Sequence, residues 1–192
     1  MSWDTIITYA ERFQTIIAGG LAIGAAWIAY LGALKQARAV TDAEHQRALD
    51  QRRAVAGALW AELANIGAKL FADSQRLRSM QRINDGRLLD LKPIDVSVFQ
   101  ANLSALGTLP PDDALVVTQA YKLILDLNQR YAKLGSSPGI GDGVAASMGD
   151  YAGNLVHLVR ATLKGLRTTA GMPEDKANAA MAPWTPVVRS EG

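Results

Sequence analysis

Histidine is the side chain that most often supplies acid–base or metal-ligand chemistry near neutral pH, and the chain has two, His45 and His157. They lie on different predicted helices, and neither has a carboxylate or another histidine at ligand spacing. The sequence contains no cysteine, which excludes a thiol nucleophile, a disulfide and a thiolate metal site. A catalytic or metal site needs several converging groups. We therefore predict no catalytic residue, no metal and no cofactor.

The glycine-rich run Gly139–Gly143 has the look of a loop that binds phosphate groups. A dinucleotide-binding loop or a P-loop follows a strand, and the P-loop also needs a lysine and a serine or threonine at its end. Here a predicted helix comes before the run, and Val144 and Ala145 follow it. We interpret the run as a connection between two helices, so no nucleotide cofactor is predicted.

Asp112 and Asp113 could serve as a pair of catalytic carboxylates. They come directly after Pro110 and Pro111, at the predicted start of a helix. Aspartate at that place is explained by capping of the helix and by the helix dipole. We predict a structural role for both.

Arginines recur near the end of the first predicted helix, at Arg76, Arg78 and Arg82. They could form a phosphate-binding surface, but the three positions do not share one helical face. The formal net charge is only +2, so the balance of charge indicates no nucleic-acid partner. We predict a solvated polar surface, no small-molecule substrate and no enzyme activity.

The elements that would have to position these residues begin with an apolar stretch, 13–34, that contains no charged side chain. A helix of this length is about 33 Å long, which matches the roughly 30 Å hydrocarbon core of a bilayer. Glu11 and Arg12 precede the stretch, and Lys35 and Arg38 follow it. We predict one transmembrane helix over 13–34. The alternative, a buried helix of a soluble protein, would be unusually long and apolar for a domain of this size.

The flanks of this stretch bear on its processing and orientation. A cleaved signal peptide usually has a positively charged start and a shorter apolar region, whereas residues 1–12 carry Asp4 and Glu11 against Arg12 alone. Cationic side chains are more frequent after the stretch, namely Lys35, Arg38, Arg47, Arg52 and Arg53. The positive-inside rule therefore predicts the N-terminus outside and the following domain in the cytoplasm. Residues 1–12 are predicted to lie along the outer membrane–water interface.

Small side chains recur within the stretch at a spacing that lets two membrane helices approach closely. The predicted packing residues are Ala18, Gly20, Ala22, Gly24, Ala25 and Ala29. Gly20 and Gly24 form a G-x-x-x-G pair. Alanine and glycine are also common in membrane helices in general, so the sequence leaves helix association open beside simple membrane insertion.

Residues 35–53 have charges on all sides, which predicts a solvated helical stalk. An apolar stripe at coiled-coil spacing follows, and its predicted seam is Leu59, Leu63, Ile66, Leu70 and Leu77. The seam could pair with a second copy of the chain, or it could face inward as the first helix of an intramolecular bundle. Asp73 interrupts the seam, while Trp60 and Phe71 widen the apolar face, which favours the bundle.

Further helices are predicted after this stripe. Pro111 suits the first turn of a helix that ends near Gly135, and another helix is predicted over 144–169. Residues 171–192 lack periodicity and contain three prolines, so a flexible tail is predicted there. The expected fold is all-α, with one transmembrane helix, the stalk and a small antiparallel helical bundle over 54–170.

The run Phe13-Gln14-Thr15-Ile16-Ile17-Ala18-Gly19, followed by Ala25-Ala26 and a charged helix, resembles the start of a class of uncharacterised bacterial inner-membrane proteins with a single span. The later stretch from Phe99 to Pro111 is similar to the second half of that class. The resemblance spans most of residues 13–135. It implies a bacterial inner membrane and a helical cytoplasmic domain, and it transfers no catalytic or binding residues.

Together these features predict a membrane-anchored helical scaffold protein without catalytic activity. Its expected partners are the lipid bilayer and either a second copy of the chain or another protein. A second hypothesis is an accessory subunit of a larger membrane complex, held there by the small side chains of 13–34. A third is a phage-lysis or envelope-spanning protein whose domain lies in the periplasm.

Overall fold

The computed structural model describes residues 3–79, 91–136 and 143–184. Within these ranges the fold is all-α and contains no strand, which confirms the predicted fold class. The α-helices are α1 (Trp3–Ser79), α2 (Ser97–Ala101), α3 (Pro111–Ser136), α4 (Val144–Thr169) and α5 (Glu174–Met181), and two 3-10 helices span Leu103–Thr108 and Ala182–Trp184. Helix α3 begins at the predicted proline, and α4 has the predicted bounds.

The chain divides into two compact units, Met1–Ala48 and Leu49–Gly192. In the first unit every side chain that the structure describes is exposed. The second unit begins a little before the predicted end of the stalk, because Arg52 already contacts the bundle. Its Nε donates a hydrogen bond to the carbonyl oxygen of Thr108 at 2.8 Å.

The second unit is a bundle in which α4 runs antiparallel to α1 and α3. Thr169 Oγ1 donates a hydrogen bond to Asp113 Oδ2 at 2.5 Å, so the end of α4 lies beside the start of α3. Helix α1 contacts α4 at two levels in reverse order, through the pairs Trp60–Leu163 and Arg78–Asp150. The small antiparallel bundle that the sequence predicts is therefore present.

The core of the bundle forms where the apolar stripes of the long helices meet. The predicted seam of α1 lies within it: Leu59, Leu63, Leu70 and Leu77 are fully buried, and Ile66 is 3% exposed. Burying each leucine contributes about 1.5–3 kcal/mol, which explains why this face of α1 turns inward. The seam is covered by the chain's own helices, as the intramolecular alternative expects.

The prediction of a flexible tail over 171–192 is wrong for the part that the structure describes. Helix α5 and the 3-10 turn after it pack onto the bundle and bury Ala177, Met181 and Trp184. Trp184 lies against Gly67 of α1, where an added Cβ would overlap the six-membered ring of the indole. A short helix needs only a few apolar side chains on one side to dock. Here they are too few among polar residues to form a recognisable apolar period. Residues 185–192 lie outside the described residues.

Candidate functional site

The first candidate site is the apolar part of α1, residues 13–34. Large apolar side chains on it are exposed: Phe13, Leu21, Ile23 and Ile28 are each between 69% and 74% exposed. The most apolar stretch has a mean hydropathy of 1.8, and none of it is buried within the protein. This helix is long enough and apolar enough to cross a membrane. Within the described chain it is not the core helix that the soluble-protein alternative requires.

The six predicted packing residues, Ala18 to Ala29, all lie on this exposed part of α1. A Cβ added at Gly20 or Gly24 would meet nothing within 4 Å among the described residues. The backbone at these two points is therefore open to close approach by another helix. Association through these residues stays a prediction.

The second candidate site is a buried carboxylate, Glu62, on the core side of α1. Glu62 is 9% exposed and accepts hydrogen bonds from the backbone N–H groups of Val98 at 2.8 Å and Phe99 at 2.9 Å. Tyr121 Oη donates to the same carboxylate at 2.5 Å. The N-cap residue of α2, Val96, makes no side-chain cap hydrogen bond, and Glu62 caps the next two N–H groups from another helix.

Aromatic rings enclose this carboxylate. The rings of Phe99 and Tyr121 are stacked, with their centroids 3.9 Å apart and an angle of 10° between the ring planes. Burial raises the pKa of Tyr121, and the hydrogen bond to Glu62 and the charge of that carboxylate add to the effect. The tyrosine is therefore a hydrogen-bond donor at neutral pH, which matches its contact with Glu62.

Polar side chains of α1 and α3 also fix the segment 91–96, which leads into α2. Asn128 of α3 binds both backbone groups of Ile94, accepting from its N–H at 2.7 Å and donating to its carbonyl at 2.8 Å. Lys69 Nζ donates to the carbonyl oxygens of Lys92 at 2.6 Å and Pro93 at 3.2 Å. These bonds satisfy backbone groups that have no partner from a helix or strand, and they set the path of the segment.

A groove of about 390 Å³ lies beside Glu62, between α1 and residues 94–98. The apolar part of its lining comes from Ala58, Ala61, Ile66, Ile94 and Val98. Glu62, Lys69 and Asp95 of its lining are engaged in holding the segment: Asp95 Oδ1, for example, accepts from the backbone N–H of Ser97 at 3.0 Å. A mostly apolar concavity of this size suits the binding of an apolar surface or ligand.

Another carboxyl, Asp73, lies close to Tyr131 in the bundle. Both Asp73 Oδ2 and Tyr131 Oη are buried, and neither has a hydrogen-bond partner among the described residues. Burial raises the pKa of the Asp73 carboxyl, and the charges of Lys69 and Arg76 offset this only in part. Asp73, the residue that interrupts the seam, therefore lowers the stability of the core.

Replacing Asp73 with asparagine should stabilise the bundle at pH 7 by about 1 kcal/mol, because the amide has no charge to desolvate. A carboxyl whose pKa is raised by folding stabilises the fold fully below its ordinary pKa of 3.8, and this contribution is lost as the pH rises through the folded-state pKa. The gain from Asp73→Asn should therefore shrink toward zero as the pH falls below 3.8. Urea unfolding followed by near-UV circular dichroism measures it, and a gain that does not depend on pH would contradict the assignment.

The structure does not bring the polar residues considered in the sequence into one site. His45 is exposed in the first unit, and His157 is exposed on α4. Asp113 accepts the hydrogen bond from Thr169, so it fastens α3 to α4, while Asp112 is exposed at the start of α3. The parts of the chain that the structure describes hold no group of three or more His, Cys, Asp or Glu side chains placed to bind a metal.

Sequence reasoning missed Glu62, Asn128 and Trp184. Glu62 comes three residues after Leu59 and four before Ile66, so it lies on the same face as the apolar stripe. A carboxylate on a face that is otherwise apolar needs hydrogen-bond donors there, and that signal could have identified it. Asn128 and Trp184 give no comparable signal, since their partners come from distant parts of the sequence.

In comparisons with known proteins, no family model, no curated protein and no solved structure matches the chain. The resemblance to bacterial inner-membrane proteins with a single span stays a prediction.

Proposed function

We propose that the chain is a membrane protein with a single span, whose helical bundle binds a second copy of the chain or another protein. The observation that carries the proposal is the exposure of Phe13 and of the apolar side chains of 17–34. Leaving apolar surface in water costs about 25 cal/mol per Å². A bilayer removes that surface from water without any protein partner.

The proposed location is the bacterial inner membrane, with the N-terminus outside and the bundle in the cytoplasm. Lys35 and Arg38, directly after the apolar stretch, support this orientation through the positive-inside rule. The resemblance of the 13–26 region to inner-membrane proteins supports the choice of membrane. A reporter that is active only in the periplasm, fused to the C-terminus, tests the orientation. Activity of that reporter would favour the envelope-spanning alternative.

Lysine at both Ile23 and Ile28 should release the protein from the membrane. Each lysine near the middle of a membrane helix costs about 2.5–3.5 kcal/mol. The two isoleucines are 74% and 71% exposed, so neither belongs to the buried core. After an alkaline carbonate wash and centrifugation, we expect the unaltered chain in the pellet and the double variant in the supernatant.

Val40→Lys is the matched control for this experiment. Val40 is 51% exposed on the same helix but lies beyond the apolar stretch, so this variant should stay in the pellet. An unaltered chain that remains dispersed in the supernatant without detergent would overturn the proposed anchor.

Two features support a binding role for the protein. The groove beside Glu62 presents an apolar surface, and Gly20 and Gly24 leave the backbone of the anchor open to another helix. Purification of the full chain from native membranes in a mild detergent, followed by a mass measurement, tests this role. A dimer supports self-association, and a stoichiometric membrane protein in the same peak supports an accessory subunit of a complex. A monomer without any co-purifying protein would contradict the proposal.

A further inference from the structure

A small polar cavity lies between α1 and α4, next to the buried ring of Trp184. Its lining takes one row of residues from 71–78 of α1 and another from 153–160 of α4, each with the spacing i, i+3, i+4, i+7 that keeps them on one helical face. The polar members are Ser74, Gln75 and Arg78 on α1 and His157 and Arg160 on α4. The antiparallel packing of the two helices places these two rows opposite each other.

Two arginines carry the charge among the described residues that line this cavity. Arg78 and Arg160 are its charged lining residues, and among the described residues no carboxylate lines it. Asp150 lies outside the lining and binds Arg78 Nε at 3.0 Å, in a pair whose side chains are 48% and 68% exposed. A pair so exposed to water contributes little to stability, so an anion in the cavity can compete with Asp150 for the guanidinium of Arg78.

Packing holds both arginines in place. A Cβ added at Gly153 would come within 2.8 Å of Arg78 Nη2, so this glycine allows the guanidinium to lie against the backbone of α4. Arg160 Nη2 donates a hydrogen bond to the carbonyl oxygen of Trp184 at 3.0 Å. A guanidinium has five N–H groups, so each arginine can make a structural contact and bind an anion at the same time.

We infer that this cavity binds a single phosphate group, free or at the end of a phosphomonoester. Its volume of about 70 Å³ exceeds by several fold the roughly 10–15 Å³ that one water needs, and it is too small for a nucleoside or a sugar. Two guanidinium groups match the geometry of phosphate oxygens through charge-assisted hydrogen bonds. The apolar walls from Phe71, Val156 and Trp184 limit competing hydration and strengthen those bonds. The inference does not depend on the proposed anchor or on the binding role of the groove.

The test is calorimetric titration of inorganic phosphate into the full chain in an uncharged detergent, at constant ionic strength set with chloride. We expect saturable binding to one site. Arg78→Gln should weaken it by about tenfold or more, the value of a lost hydrogen bond to a charged group. Gly153→Ala should weaken it as well, because the added methyl group displaces the Arg78 guanidinium without removing its charge. This second variant keeps the bundle core intact.

Arg130→Gln is the matched control, since Arg130 forms an ion pair with Asp126 on α3 and does not line the cavity. It should leave the phosphate affinity unchanged. Micelles that contain phosphatidate, compared with phosphatidylcholine alone, show whether the phosphate belongs to a lipid headgroup. Binding of neither phosphate nor phosphatidate would overturn the inference, and so would equal effects of Arg78→Gln and Arg130→Gln.

Discussion

Alanine in place of Gly67 should destabilise the bundle by about 2–4 kcal/mol, the range for overpacking a core or losing a buried tryptophan. The new methyl group would occupy the same space as the ring of Trp184. Trp184 is 2% exposed and anchors the C-terminal segment, so the ring cannot move aside without undocking α5. Urea unfolding of the full chain in a mild detergent, followed by near-UV circular dichroism, measures the loss.

Two further variants separate the Trp184 contact from any general effect on the helix. Gly57→Ala lies on the same helix, and its added Cβ meets nothing within 4 Å among the described residues. It should be neutral or stabilise by up to about 1 kcal/mol through helix propensity. In a Trp184→Ala background Gly67→Ala should lose its cost, because the obstructing ring is gone. If Gly67→Ala costs the same in both backgrounds, the proposed contact is not its cause.

Alanine in place of Glu62 should lower the free energy of unfolding by roughly 3 kcal/mol, at about 1 kcal/mol or more for each donor left without an acceptor. The donors are the N–H groups of Val98 and Phe99 and the hydroxyl of Tyr121. Loss of the cap should also loosen α2 and the groove beside it. Hydrogen exchange at the Val98 and Phe99 amides should accelerate more than exchange in α4.

Three further variants test the hydrogen bonds to Glu62. Tyr121→Phe removes one donor and should cost about 1 kcal/mol. Glu62→Gln keeps the shape but turns an NH₂ group toward a donor, so its cost should fall between those of Tyr121→Phe and Glu62→Ala. Glu44→Ala, at an exposed position of α1, should change the stability by less than about 0.5 kcal/mol. Equal stability of the Glu62→Ala and Glu44→Ala variants would refute the assignment.

Helix positions could be predicted because their signals are local. Pro111 begins α3 and residues 144–169 form α4, as proline at the first turn and the apolar period indicate. The seam of α1 is buried because its spacing places five large side chains on one face. The prediction of a flexible tail is wrong because α5 is short and its sequence shows no clear apolar period. The segment is held by Trp184, which follows α5 and packs against Gly67 of α1.

The candidate sites required contacts that no local pattern encodes. Glu62 meets a backbone amide 37 residues further along the chain, and Asn128 meets Ile94 across 34 residues. The sequence predicts a solvated surface for Arg78 because Arg76, Arg78 and Arg82 do not all share one helical face. The structure places it opposite a row on α4, where it lines a cavity with Arg160.

The sequence by itself determined the helical class, the apolar helix at 13–34 and the inward face of the first bundle helix, because hydropathy and the 3.6-residue period act over a few turns. That the apolar helix lies in a bilayer stays a prediction. The tertiary structure alone decided the cap that Glu62 provides, the seat of Trp184 on Gly67 and the cavity between α1 and α4. Each of these depends on the relative height at which two helices pack, and that height is set by the fit of side chains distant in sequence.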